Sequence, residues 1–93
     1  MIEIKGKIKD QPIDILIDLG DSHNYIYHNL VERFKLEKNK LDKSWLVLLA
    51  TRTKRKISEI VSNYSLDMNG FHTLVYLNIM PLGPYDVLIG RYI

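Results

Sequence analysis

No cysteine occurs among the 93 residues, which excludes a disulfide frame and a thiolate zinc site and fits a reducing compartment. Long apolar runs are missing as well. The longest is Trp45–Ala50, far short of the roughly 20 residues that span a bilayer. The opening stretch Met1–Asp10 alternates charged and apolar residues, so it has no apolar signal core. Together these absences predict a soluble, cytoplasmic domain with no membrane partner. Charge of one sign is also scarce. Thirteen basic residues against 11 acidic ones leave a formal charge of +2, so a nucleic-acid role would need a local basic patch, not a global field. The three histidines, His23, His28 and His72, have no ligand-like spacing with carboxylates, and neither a metal nor another cofactor is expected. A chain of this length buries about 60–65% of the surface its unfolded form exposes, enough for one small core. One domain over residues 1–93 follows.

What is present is mostly strand. Ile2, Ile4 and Ile8 alternate with Glu3, Lys5, Lys7 and Lys9, a half-buried strand with a bulge or bend expected at Gly6. Asp10-Gln11-Pro12 reads as a turn and Ile13–Ile17 as a second strand. The cluster Leu19-Gly20-Asp21-Ser22 makes a turn directly after it. Tyr27–Leu36 carries Leu30, Val31 and Phe34 at helical spacing with Asn29 as candidate cap, which predicts one short helix. From Ser44 onward the pattern is again strand. Trp45–Ala50 and Ile57–Val61 flank a polar tip, Thr51–Lys56. Leu66–Met68 and Phe71–Ile79 flank Asn69-Gly70, the strongest short hairpin signal in the chain. After a Pro/Gly loop over Met80–Pro84, Tyr85–Ile89 is a last apolar strand ending at Gly90. The fold class is all-β with one short helix.

Two segments echo each other. Asp14-Ile15-Leu16-Ile17-Asp18 recurs as Asp86-Val87-Leu88-Ile89-Gly90, which suggests two half-domains built alike around a pseudo-twofold. Chemistry concentrates after the first of them. In Ile17-Asp18-Leu19-Gly20 an aspartate ends a buried strand, and the glycine two residues on lets backbone N–H groups approach the carboxylate. Peptide hydrolysis by carboxylates alone requires two of them sharing a proton. This chain has one Asp-x-Gly of this kind, so a protease would need a second copy. Taken alone, Asp-x-Gly is more often a solvated turn aspartate.

Its surroundings change that reading. Ile17-Asp18-Leu19-Gly20-Asp21-Ser22-His23-Asn24-Tyr25-Ile26 resembles the active-site stretch of gypsy-class retrotransposon proteases, usually Ile-Asp-Ser-Gly-Ala-Ser/Thr-His followed by a polar residue, an aromatic and Ile. Trp45–Thr51 with Thr53–Ile57 resembles their flap hairpin, Leu66–Gly70 the hairpin that follows, and Ile79–Gly90 the closing block. The resemblance implies a closed, retropepsin-like acid-protease barrel that acts on a polyprotein or peptide as a homodimer. It makes Asp18 the catalytic carboxylate, Gly20 its turn glycine, and Thr51, Arg52, Thr53 and Lys54 the flap over the substrate. Tyr85 to Gly90 would buttress the active-site loop.

Three residues depart from the pattern. Leu19 stands where the family usually carries Ser or Thr, whose hydroxyl links the two active-site loops, and leucine can neither donate nor accept that bond. Arg52 stands where glycine is common; if the flap tip needs positive φ, arginine is strained there by about 1 kcal/mol. Asp21 puts a like charge three positions from Asp18. The chain also begins and stops close to the blocks that match, so most of the terminal strands of the family's dimer sheet are expected to be lacking, and a monomer is an open alternative to the homodimer. The competing function is a catalytically inactive, retrotransposon-derived module that binds a protein partner. A third reading, nucleic-acid binding through Arg52, Lys54, Arg55 and Lys56, lacks an aromatic platform and is the least favoured, a solvated hairpin tip being the simpler account. Trp45 and the tyrosines read as core and barrel-surface residues, and Glu32 and Arg33 as solvent-facing.

Overall fold

The computed structural model describes residues 2–48, 54–81 and 85–91. Seven strands and one helix follow in the order β1 (Ile2–Ile8), β2 (Gln11–Ile17), β3 (Tyr25–Tyr27), α1 (His28–Arg33), β4 (Asn39–Leu48), β5 (Lys54–Met68), β6 (Phe71–Met80) and β7 (Val87–Ile89). They form one sheet in the order β1-β2-β7-β3-β6-β5-β4, and a further pairing of β1 with β5 closes six of the strands into a ring. Strand β4 lies outside that ring, paired only to β5 among the described residues. Closure of this kind removes most sheet edges. The expected all-β barrel with one short helix is the observed architecture.

Alternation along the strands sets what the ring encloses. Ile8, Ile13, Ile15, Ile26, Leu66, Val75, Leu77, Val87 and Ile89 turn inward to a core in which most are wholly inaccessible. Helix α1 adds Leu30 and Val31, with Phe34 and Leu36 just beyond its end. Each such side chain contributes about 1.5–3 kcal/mol by leaving water.

Several local expectations are corrected by the pairings. Gly6 is not a bulge, because the β1–β2 register runs without interruption from Ile2↔Ile17 to Ile8↔Gln11. It lies where β1 meets both β2 and β5, and a Cβ there would run into the Ile15 side chain and the Asp67 carbonyl. The first turn is Lys9-Asp10, both left-handed at φ 49° and 65°, the geometry of a two-residue hairpin. Gln11 and Pro12 therefore belong to β2. Pro12 is tolerated because β7 joins β2 only from Ile15 onward, so no ladder hydrogen bond is lost on that side. The helix is shorter than expected, and Tyr27 stands at its N-cap with no side-chain cap bond. Asn29 lies inside it and donates through Nδ2 to the Tyr27 hydroxyl at 3.2 Å.

The strands expected over Ile57–Val61 and Leu66–Met68 are one strand, β5. Its register against β6 shifts between Val61 and Tyr64, where Ser62 and Asn63 together oppose Tyr76. This is a bulge, with Asn63 at φ 52°. At Asn69-Gly70 the chain turns as the sequence predicts, both residues left-handed, and the Gly70 N–H donates to Asp67 Oδ1 at 2.8 Å.

Candidate functional site

The two echoing segments lie side by side. Strands β2 and β7 run parallel with Ile15 opposite Val87, Leu16 opposite Leu88 and Ile17 opposite Ile89, so the echo in sequence is the register in space. The alignment continues at both ends: the Asp14 N–H donates to Asp86 Oδ2 at 2.8 Å, and the Asp18 N–H donates to the Ile89 carbonyl at 2.9 Å.

Asp18 is thus the first residue past β2, fixed by its own backbone to the end of β7. Its side chain is half-buried. Oδ1 accepts the Gly20 N–H at 3.0 Å, the close approach that a glycine at this position permits. Among the described residues no hydrogen bond reaches Oδ2. The Asp18 carbonyl accepts the Asp21 N–H at 3.1 Å, which closes the turn. Leu19 at its apex is 66% exposed beside the carboxylate.

Behind this turn is a set of buried polar groups that sequence reasoning did not single out. Asn24 and Asn78 are the buried polar side chains among the described residues. The Asn24 carbonyl accepts both the backbone N–H of Asn78 at 2.9 Å and its Nδ2 at 3.0 Å. Asn24 Oδ1 accepts the Gly90 N–H at 2.8 Å. Gly90 has no room for a side chain: a Cβ would sit 2.5 Å from the His23 carbonyl and 2.7 Å from that of Asp21. Both carbonyls belong to the loop that follows Asp18. The only sequence signal for Asn24 was its place as the polar residue in the stretch Ile17–Ile26 that resembles the family's active-site segment. Its partners lie 54 and 66 residues away, beyond any local pattern.

Asp21 is tied down in several directions. Its Oδ1 accepts the His23 N–H at 3.1 Å, and its carbonyl accepts the Arg91 N–H at 2.7 Å. Burial, the Asp21 charge and a hydrogen bond to that carboxylate push the Tyr25 phenol up to about 12. His23 packs on Trp45 of β4 with ring centroids 4.7 Å apart, and its Nδ1 lies 3.1 Å from Ser22 Oγ. The loop after Asp18 thereby touches the strand that leads toward residues 51–53.

Thr51, Arg52 and Thr53 lie outside the described residues. Lys54 begins β5, exposed and opposite Leu48. Arg55 and Lys56 follow it in the strand opposite Val47 and Leu46, so these three basic residues are not a hairpin tip. Successive strand side chains point to opposite faces, which separates Arg55 from Lys54 and Lys56 and disperses the basic cluster. Among the described residues no group of three or more His, Cys, Asp or Glu could hold a metal ion, and no helix is long and apolar enough to cross a membrane.

Three comparisons bear on this arrangement. A family model described as retroviral aspartyl protease matches residues 2–91. The search of curated proteins finds no match. Among solved structures, a Legionella pneumophila (subsp. pneumophila str. Philadelphia 1) protein of unknown function, DUF785, is similar with a TM-score of 0.58 at 11% identity. That alignment covers 96% of this chain and 80% of the other. An identity so low speaks to fold alone.

Proposed function

The chain belongs to the retroviral aspartyl protease family, and we propose that it is an aspartic endopeptidase whose active unit is a homodimer with Asp18 from each copy. The observation that carries this reading is the Asp18 carboxylate: half-buried at the end of β2, with Oδ1 held by the Gly20 N–H and Oδ2 free of hydrogen bonds among the described residues. One such carboxylate cannot both remove a proton from water and deliver one to a peptide carbonyl. Two facing copies can, if they share a single proton. The ionised one takes a proton from the attacking water while the neutral one protonates the carbonyl oxygen, giving the tetrahedral intermediate. In this reading Gly20 orients Asp18 through its N–H, and Thr51, Arg52, Thr53 and Lys54 cover an extended peptide or polyprotein segment. Activity on the acid side of neutral follows from the need for one proton on the pair.

A second reading is favoured by Leu19. A leucine 66% exposed at the apex of the turn offers apolar contact where the family pattern has a hydroxyl, which suits a module that binds a protein partner without cleaving it. One experiment separates the two. Parent and Asp18→Asn proteins are incubated with a mixed peptide library at several acidic pH values, and their mass in solution is measured in parallel. Cleavage by the parent alone, from a dimer, supports the protease. A dimeric parent that cuts nothing rejects it and leaves the binding module.

A further inference from the structure

Strand β2 has Asp18 at one end and the Lys9-Asp10 turn at the other. At about 3.3 Å per residue the two lie roughly 25 Å apart. Beside that second end a cleft of about 370 Å³ opens between the turn, the end of α1, the start of β4 and the bulge of β5. We propose that this cleft binds a single phosphate group, as inorganic phosphate or on a small phosphomonoester.

The lining is rich in hydrogen-bond donors. Lys9 and Lys35 both border it, and neither side chain has a carboxylate partner among the described residues, where the ion pairs engage Lys5 and Lys38 instead. Ser62 and Tyr64 each bring a hydroxyl to the lining. Ser62 Oγ accepts Asn39 Nδ2 at 3.0 Å, and the Tyr64 phenol lies near the Lys9 backbone N–H. Each hydroxyl keeps its own hydrogen to give away. Burial raises the Tyr64 phenol above its ordinary value, with the Lys9 N–H partly opposing, so it stays a donor near neutral pH. Against these donors stands one carboxylate on the lining, Glu37.

The backbone around the cleft is held in shape by unusual conformations. Lys9, Lys35 and Asn63 are all left-handed, at φ 49°, 52° and 52°, and all three line it. Ser62 and Asn63 face a single residue of β6 across the bulge, which takes their peptide groups out of the regular ladder. Concave backbone of this sort with flanking cations is suited to a tetrahedral oxyanion. A polymer is a poorer fit. Following a nucleic-acid backbone takes a row of cations and stacking platforms, whereas two lysines and one half-buried tyrosine serve one phosphate.

The test is an NMR titration of the 15N-labelled protein with three probes: inorganic phosphate, phosphoserine and a short single-stranded oligonucleotide. Shifts of the Lys9, Ser62, Asn63 and Tyr64 amides that saturate with the first two are expected, with the oligonucleotide binding no more tightly than phosphate. Lys9→Asn and Lys35→Asn keep residues that tolerate the left-handed conformation. Together they should weaken binding about tenfold, the scale of one or two charge-assisted contacts. Glu37→Gln should tighten it. Because the cleft is remote from the turn at residue 18, Asp18→Asn protein should bind phosphate as the parent does, whatever becomes of the protease reading. Shifts scattered outside the cleft, an affinity indifferent to Lys9→Asn and Lys35→Asn in proteins with parent-like spectra, or tighter binding of the oligonucleotide would each overturn the proposal.

Discussion

The Gly90 N–H donates to Asn24 Oδ1 at 2.8 Å, across 66 residues of sequence. It joins the end of β7 to the end of the loop that starts at Asp18, and both groups are buried. The position of the carboxylate therefore depends on a side-chain amide six residues further along the chain.

Asn24→Ala leaves the Gly90 N–H buried with no acceptor. A loss of about 1–3 kcal/mol is expected, the range for an orphaned buried donor. Urea denaturation at one protein concentration measures it. Asn24→Asp keeps an acceptor for that N–H and should be less damaging if its charge is tolerated; equal losses would mean that the bond is not what Asn24 contributes.

Gly90→Ala tests the same junction by steric means. Its methyl group would meet the His23 and Asp21 carbonyls at 2.5 and 2.7 Å, backbone atoms that cannot swing aside. A cost of about 1–3 kcal/mol is the usual scale for overpacking, and the Asp18 loop must shift to accept it. The expected signature is altered amide shifts at residues 18–24. Unchanged shifts there, with stability preserved, would show that the contact is not rigid.

Asp18→Asn should separate chemistry from folding. Asparagine retains an oxygen for the Gly20 N–H, so the substitution should change stability by no more than about 1 kcal/mol. It should also abolish any peptide cleavage. Persisting cleavage in the purified variant would remove Asp18 from the mechanism.

Leu19→Ser restores a hydroxyl beside Asp18. In a sample shown to be dimeric, cleavage of a peptide library should rise, with its optimum below neutral pH because the carboxylate pair must hold one proton. No gain in such a sample would clear Leu19 of limiting the reaction.

Tyr25 predicts behaviour in alkali. Its phenol is raised to about 12, while in the unfolded chain it titrates near 10. The folded state therefore holds the proton more tightly. The stability this gives is present in full below pH ~10 and is lost as pH climbs toward ~12, on the order of 2 kcal/mol across that window. Comparing urea midpoints of the parent and Tyr25→Phe at pH 9 and pH 11.5 checks the sign. The parent should lose more than the variant, and equal losses would rule out a perturbed Tyr25.

How far the chain could be read in advance depended on whether a signal was local. The Asn69-Gly70 turn, the alternation of β1 and the carboxylate turn at Asp18 and Gly20 were all legible, since each is decided within a few neighbours. The echo was legible as a pattern, although its meaning as a parallel register between β2 and β7 was not. Three-residue β3 escaped because alternation cannot be recognised over Tyr25–Tyr27. The bulge at Ser62 and Asn63 made one strand look like two. Asn24 and Asn78 resemble loop residues until their partners are known, and the cleft at Lys9, Lys35 and Asn63 brings together segments with no common motif.

The ring of strands closes through two residue pairs, Gly6 with Met68 and Lys7 with Asp67, whereas β1 and β2 are matched over seven. A closure so brief, matched in the ring only by the two pairs between β3 and β7, is a seam of the barrel. Separation there would leave the β1–β2 hairpin held by β7 alone, through the three pairs that lead up to Asp18. Side chains that stiffen or wedge the seam would then act as a remote adjustment on the carboxylate. Amides that bond across the seam, between Gly6–Lys7 and Asp67–Met68, should exchange with solvent sooner than amides that bond between β1 and β2, making the stitching of the barrel and the aim of its aspartate one mechanical problem.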